Sequence, residues 1–184
     1  MPCTKWLLQH GADPNPSRDG DSRDLLAYAA GFESPEVVEL LVKQGANLKG
    51  TMAMHSAAAS AADLAVGAES GGGTKYAFDG SRLEILRLLL DHGADVNEME
   101  DDPKWRKPKR RRTCFTGTPL HHAVQQCDVE VIEFLLSRGA DVLHPSWSGH
   151  TVLQAAEIAK RPEVVALLRR HLGQSDKETE GQGL

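Results

Sequence analysis

Residues 117–124, Gly-Thr-Pro-Leu-His-His-Ala-Val, bring two histidines and a threonine close together in the sequence. Histidine is the commonest metal ligand, so a metal site is the first chemistry to consider. Two ligands on one helix face need a spacing of four residues, whereas His121 and His122 are adjacent and project in different directions. The same stretch fits a helix start, because Thr118 can cap the first turn and Pro119 suits the first helical position. We favour the helix start and expect no metal.

Two other groups of residues suggest chemistry and fail on spacing. Residues 67–75, Gly-Ala-Glu-Ser-Gly-Gly-Gly-Thr-Lys, resemble a phosphate-binding loop, but the threonine precedes the lysine and no strand precedes the segment. Cys3, Cys114 and Cys127 are odd in number and lack a Cys-x-x-Cys spacing, so they fit neither a disulfide framework nor a zinc site. No nucleophile shows a legible base partner. We expect no enzyme activity and no cofactor.

The bulk composition fits a soluble folded protein of 184 residues, with 40% hydrophobic and 26% charged residues. A formal net charge of -5 argues against a general nucleic-acid binder. No apolar stretch approaches the length of a membrane span, and the first residues lack the layout of a secretory signal. We expect a location in the cytoplasm or the nucleus and no membrane partner.

Helix ends are marked by one short word that occurs four times. Its copies are QHGADPN at 9, KQGANLK at 43, DHGADVN at 91 and SRGADVL at 137. Each copy follows an apolar run with helical spacing, and its glycine suits the position just past a helix C-terminus, where the backbone takes a positive φ. Four helices of similar type are therefore predicted to end at these words.

A second word marks helix starts, as DLLAYAA at 24, MAMHSAA at 52, TPLHHAV at 118 and TVLQAAE at 151. Asp24, Thr118 and Thr151 can accept a hydrogen bond from an unpaired backbone N–H of the first turn. Met52 cannot, so we expect a frayed start there or a start shifted to Thr51. The alternation of the two words predicts helix pairs.

The spacing of the two words gives a period. Leu26 to Gly45 and Leu120 to Gly139 are both 19 residues, and Gly139 to Leu153 is 14, so the unit is 33 residues long. A 33-residue unit of a turn and two helices with Thr-Pro-Leu-His resembles the ankyrin repeat. The resemblance implies an all-α ankyrin-repeat solenoid of antiparallel helix pairs with projecting β-hairpin fingers. It also implies that His55 and His121 make structural hydrogen bonds between repeats.

The resemblance covers residues 1–173 as one domain, followed by a disordered tail at 174–184. We divide the domain into the half-repeat 1–15 and the repeats 16–50, 51–97, 98–142 and 143–173. The repeat 51–97 contains an insertion at 59–79, whose alanine-rich part is expected to prolong the first helix and whose glycines are expected to form a flexible loop. The repeat 98–142 contains a basic hairpin insertion at 98–115.

The start of the chain reads as a second helix without a first, so we interpret the sequence as a fragment or a shortened form of a longer array. Trp6, Leu7 and Leu8 then lack a neighbouring repeat. Exposed apolar strips promote association. We therefore expect possible self-association through this uncapped half-repeat.

The basic insertion is the most individual feature, with four acids at 98–102 and seven bases at 104–112. Three interpretations stay open. It can be a solvated loop that neutralises itself, a nuclear localisation signal, or a finger that contacts an acidic partner through Trp105 and Arg106. Removing residues 98–115 is expected to leave the helix stack folded.

The favoured function is a non-catalytic protein–protein interaction module, or scaffold, whose partner is another protein. The alternative is a nuclear regulatory factor whose basic finger is a localisation signal or a nucleic-acid contact. What the resemblance implies about contacts places them on hairpin tips and on the concave face of the first helices. The candidate contact residues are Arg23, Phe32, Lys49, Trp105, Arg106, Arg110, Arg111, Arg112, Phe115, Gln125, Gln126, Trp147, His150 and Ile158.

Overall fold

A computed structural model describes residues 6–8, 10–15, 25–59, 81–100, 116–126 and 129–180, without the side chains of 126 and 174–180. Residues 6–8 are helical. The longer helices of the described part are α1 (Leu25–Phe32), α2 (Pro35–Lys43), α3 (Ala53–Ala58), α4 (Ser81–Asp91), α5 (Pro119–Gln126), α6 (Val129–Ser137), α7 (Val152–Ile158) and α8 (Pro162–Glu180).

The helices form four pairs stacked in a row. Each first helix contacts its own second helix, as α1 does with α2 and α7 with α8. The first helices α1, α3, α5 and α7 contact one another in chain order, and so do the second helices α2, α4, α6 and α8. This is the all-α stack of helix pairs predicted from the repeat. No strand is assigned in the described residues, where turns and bends connect the pairs, so the predicted hairpin strands are not found there.

The predicted helix ends are confirmed. Gly11, Gly45, Gly93 and Gly139 all have φ between +85° and +93°. At the end of α2, Gly45 donates its N–H to the Val42 carbonyl and Ala46 donates to the Leu41 carbonyl, both at 3.0 Å. These two hydrogen bonds satisfy carbonyls that a helix end leaves unpaired. They require the positive φ that glycine tolerates.

The helix starts differ among the pairs. Thr151 accepts the Gln154 N–H while the Gln154 side chain accepts the Thr151 N–H, so the predicted cap of α7 is confirmed. Met52 precedes α3 without a side-chain cap bond, as predicted, and the Thr51 hydroxyl lies 3.4 Å from the Ala53 nitrogen. Before α5, the Thr118 hydroxyl bonds the His121 ring at 2.9 Å.

Asparagines bridge successive loops. Asn15 donates to the Gly45 carbonyl at 2.9 Å and accepts the Asn47 N–H at 2.8 Å. Asn97 repeats the pattern, with Gly139 at 3.1 Å and Asp141 at 2.8 Å. Each asparagine thus satisfies a donor and an acceptor of the following loop, which fixes the stacking of neighbouring units.

The core lies between the two helix layers. Its largest fully buried apolar side chains are Leu26, Leu41, Met54, Ile85, Leu86, Leu89, Leu120, Ile132, Leu135 and Leu168. Burying one such side chain stabilises the fold by about 1.5–3 kcal/mol. Since these residues come from all four pairs, each pair depends on its neighbours for burial.

Three expectations about boundaries need correction. Helix α3 ends at Ala58 and Ala59 is extended, so the alanine-rich segment does not prolong this helix. Helix α8 continues to Glu180, so residues 174–180 are not the disordered tail that was predicted. Leu8 is buried, whereas Trp6 and Leu7 are exposed as expected. None of the described helices is long and apolar enough to span a membrane.

Candidate functional site

The first helices present one shared face to the surroundings. Tyr28 and Ser56 both lie two residues after a buried core residue, Leu26 in α1 and Met54 in α3. Phe32 follows Tyr28 by four residues, which places both side chains on the same side of α1. Because the first helices stack in order, these positions adjoin one another across the stack.

The exposed side chains on this face are mostly apolar or uncharged. Tyr28 is 48% exposed, and its ring lies 5.0 Å from the half-buried Phe32 ring. Gln125 is half-buried on α5, and Ile158 is 52% exposed on α7. The structure therefore brings three predicted contact residues, Phe32, Gln125 and Ile158, to one face. It adds Tyr28, which the sequence-based alignment did not single out.

The other predicted contact residues have different positions. Lys49 is exposed in the loop between α2 and α3. Gln126 ends α5, and its side chain is outside the described part. The candidates that lie outside the described residues altogether are Arg23, Trp105, Arg106, Arg110, Arg111, Arg112 and Phe115.

Trp147 is packed against the preceding loop. Its indole N–H donates to the Glu100 carbonyl at 2.9 Å, and its backbone N–H donates to the Thr116 carbonyl at 3.0 Å. The side chain is half-buried. These bonds tie the last loop to the one before it, so the structure gives Trp147 a packing role that competes with partner contact.

His121 fixes the start of α5 to the last loop. Its ring is fully buried, and its Nε2–H donates to the His150 carbonyl at 3.2 Å. Nδ1 accepts the Thr118 N–H at 3.2 Å and lies 2.9 Å from the Thr118 hydroxyl. Burial lowers the pKa of His121 to about 4, because the charged form would lose its hydration. The expected structural role of His121 is confirmed.

His55 and His150 also serve the stack. His55 is buried and donates from Nε2 to the Gly117 carbonyl at 3.0 Å, which confirms its expected structural role. The His150 carbonyl accepts the bond from His121, and the His150 Nδ1 lies 2.8 Å from the Ser148 hydroxyl. His150 is half-buried, so this predicted contact residue contributes to the loop itself.

Glu100 is a buried acid within the predicted basic hairpin insertion at 98–115, for which a solvated loop was one of three interpretations. It is 4% exposed, and its Oε1 lies 3.6 Å from Nε2 of His122. Its backbone N–H donates to the Gly117 carbonyl at 3.0 Å. Glu98 also packs, since its Oε1 accepts the Gly50 N–H at 2.6 Å. The packed chain therefore extends to Glu100, and an appendage can begin only beyond it, not at residue 98.

Arg82 is the second charged residue that the sequence did not reveal. It is buried, and its Nη1 donates to the Ala57 carbonyl at 3.3 Å and to the Ala59 carbonyl. A guanidinium at these carbonyls stabilises the C-terminal end of α3. No sequence signal identifies this contact, because the 60–80 segment separates the partners along the chain.

The described residues contain no group of three or more His, Cys, Asp or Glu side chains that could hold a metal ion. Near the junction of α7 and α8 lies an open depression lined by Glu157, Lys160, Arg161 and Arg169 among others. Arg169 pairs with Glu157 at 2.9 Å, and Arg161 pairs with Glu163 at 2.8 Å. These two pairs match two of the three cationic side chains of the lining, and Lys160 adds one further positive charge.

Comparison with known proteins agrees with the repeat. The family of ankyrin repeats in many copies matches residues 1–42 and 75–136. The human ankyrin repeat and SOCS box protein 6 is 32% identical over 152 residues, which are 79% of this chain and 30% of that protein. The Neurospora crassa ankyrin repeat protein nuc-2 is 28% identical over 165 residues, 82% of this chain and 12% of its own.

A third relative, the human 2-5A-dependent ribonuclease, is 34% identical over 77 residues, which are 42% of this chain and 9% of that protein. In each of the three, the matched part is less than a third of the relative's length. What is shared is the repeat array. The family match over more than half of the chain, together with the stacked helix pairs, shows that this chain belongs to the ankyrin-repeat family.

Proposed function

We propose that this chain is a non-catalytic protein-interaction module that holds another protein against the shared face of its first helices. Ankyrin repeats are generally protein-interaction modules. The observation that carries the proposal is the exposure of Tyr28 and Ile158 on this face. The opposite sides of the same helices are buried in the core. Exposed apolar side chains clustered on one face favour a binding role.

Loop tips are the second part of the proposed contact. Lys49 is exposed at the loop before α3, and the basic hairpin finger is expected beyond Glu100. Trp147 and His150 support the loops from within, so we give them a smaller share of partner contact than the sequence suggested.

The alternative of a nuclear regulatory factor depends on the basic run at 104–112, which lies outside the described residues. No observation in the described part favours a nucleic-acid contact. Location in the cytoplasm or the nucleus remains part of the proposal, to be followed with a fluorescent fusion.

The test is affinity capture from cell extract with the intact chain and with a Tyr28→Ser, Phe32→Ser double variant. Both side chains are at least partly exposed, so the substitutions should leave the melting temperature within a few degrees. Glu133→Gln on the exposed side of α6 is the matched control. We expect the double variant to lose a defined set of proteins that the control retains. Identical sets from all three chains would overturn the proposal.

A further inference from the structure

The first helices differ from the second helices in charge. Helices α1, α3 and α5, of 8, 6 and 8 residues, contain no Asp, Glu, Lys or Arg. Helices α2, α4 and α6, of 9, 11 and 9 residues, contain nine. These are Glu36, Glu39, Lys43, Arg82, Glu84, Arg87, Asp91, Glu130 and Glu133. In a chain with 26% charged residues, the difference separates one face of the stack from the other.

We call one surface the uncharged strip and define it by Tyr28, Phe32, Ser56 and Gln125. It runs along α1, α3 and α5. It ends at α7, where Glu157 is already paired with Arg169 at 2.9 Å. His122 also lies on α5, but its Nε2 lies 3.6 Å from the buried Glu100 carboxylate, so its nearest opposite group belongs to the protein itself.

We propose that the segment held on this strip is an uncharged peptide segment of another protein, with apolar anchor side chains and no Asp, Glu, Lys or Arg at the contact. This deepens the proposed function and rests on it. A charged side chain placed on the strip would lose hydration without meeting an opposite charge on α1, α3 or α5, which is strongly unfavourable.

The strip provides the complementary groups for such a segment. The Tyr28 and Phe32 rings form an aromatic surface 5.0 Å apart between centroids, which suits an apolar anchor. The Ser56 hydroxyl and the Gln125 amide can pair with the backbone of the bound segment without introducing charge. Aromatic groups for anchoring and neutral polar groups for orientation are together what an uncharged segment needs.

The probe for the test is a phage-displayed library of random 12-residue peptides, selected on the full chain. We expect the enriched peptides to contain at most half the library's frequency of Asp, Glu, Lys and Arg. A Tyr28→Ser, Phe32→Ser variant should bind the enriched peptides at least tenfold more weakly. Glu133→Lys, on an exposed position of α6, is the control and should select the same peptides as the unaltered chain.

Two charge insertions give the sharpest readout, because they should change selection in opposite directions. Ser56→Lys should select acidic peptides, and Gln125→Glu should select basic ones, which a merely structural defect would not do. Melting temperatures identify a variant that fails to fold, and the other variant then carries the test.

Enrichment of charged peptides by the unaltered chain would overturn the inference, as would a selection unchanged by both insertions or the absence of any enriched peptide. Self-association that is lost in the Tyr28→Ser, Phe32→Ser variant would assign the strip to a second copy and overturn it as well. The proposed function fails separately, when affinity capture from extract shows no difference between the double variant and its control.

Discussion

Helices α3 and α5 begin with the same repeat word, yet their starts are built differently. Both histidines are buried, and each donates from Nε2 to a carbonyl of the next unit, His55 to Gly117 at 3.0 Å and His121 to His150 at 3.2 Å. On the other side of the ring the two differ. Thr118 binds Nδ1 of His121 with both its N–H and its hydroxyl, whereas Met52 offers no hydroxyl at the equivalent position before His55.

The residue before the cap differs as well. Gly117 precedes Thr118, and a Cβ at Gly117 would lie 2.9 Å from Nδ1 of His121. Thr51, which has a Cβ, holds the same position before Met52. The bond between units thus depends on the histidine alone, while the fit around the histidine depends on the two residues before the helix.

The largest expected effect is at the two histidines. His121→Ala removes a fully buried ring and leaves the Thr118 N–H and the His150 carbonyl without this partner, so we expect a loss of about 4 kcal/mol in the free energy of unfolding. His55→Ala should lose about 3 kcal/mol, because the Gly117 carbonyl keeps the bond from Glu100. Urea unfolding measures both. Equal losses would show that the cap makes no difference.

Gly117→Ala should be the next most harmful change. The added methyl would approach the His121 ring and the Ser146 Cα at 3.2 Å, and the latter is backbone that cannot rotate away. Overpacking of this kind destabilises by about 1–3 kcal/mol, and we expect the upper end. Gly173→Ala is the matched control, since nothing lies within 4 Å of its added methyl. An unchanged free energy of unfolding in Gly117→Ala would mean that the start of α5 accommodates a Cβ at this position as readily as the start of α3 does.

The sequence predicted the parts of this comparison that depend on local signals. Helix ends and the missing cap at Met52 followed from short words and their spacing, whereas the structural role of His55 and His121 followed from the resemblance to the ankyrin repeat. The buried Glu100 and the capping Arg82 did not, because each meets partners that are distant along the chain, His122 for one and the Ala57 and Ala59 carbonyls for the other. Acid runs and isolated arginines look alike in sequence whether solvated or buried.

The shared face was also predicted only in part, because its contact residues depend partly on local positions and partly on how the units stack. Phe32, Gln125 and Ile158 followed from alignment to the family, since their positions within the repeat are local. Trp147 was predicted as a contact residue, but its indole pairs with Glu100 across the stack. A pairing between loops depends on how units stack, and no single repeat word encodes it.

Acid should weaken the stack through His121. Its pKa is about 4 in the folded chain against an ordinary 6.5, so between these values the unfolded chain binds one more proton. Stability is therefore full above about pH 6.5 and falls as the pH is lowered, by about 2 kcal/mol between pH 7 and pH 5. Glu36 and Glu163 are exposed carboxylates with a lowered pKa. Their contribution to stability changes only below their ordinary pKa of 4.5, so it does not alter the dependence between pH 7 and pH 5.

The measurement is the free energy of unfolding in urea at pH 7, 6 and 5. The same series on His121→Gln, which cannot take up the proton, should be flatter by about the same 2 kcal/mol. Parallel curves for the two chains would show that the acid dependence comes from elsewhere and that His121 is not held neutral by burial.

The smallest effect concerns the caps themselves. Thr151→Ala should cost about 1 kcal/mol, because it removes the hydroxyl that accepts the Gln154 N–H, while the backbone N–H of residue 151 can still donate to the Gln154 side chain. Met52→Thr should restore less than about 0.5 kcal/mol. Met52 has φ -87° and ψ 16°, whereas Thr151 has φ -73° and ψ 163°, and a capping side chain needs the extended backbone of the latter.

Thermal unfolding of both variants against the unaltered chain measures the difference between the loss at Thr151→Ala and the gain at Met52→Thr. A gain at Met52→Thr as large as the loss at Thr151→Ala would show that only the missing hydroxyl separates the two starts, and that the backbone before α3 turns readily into a capped form.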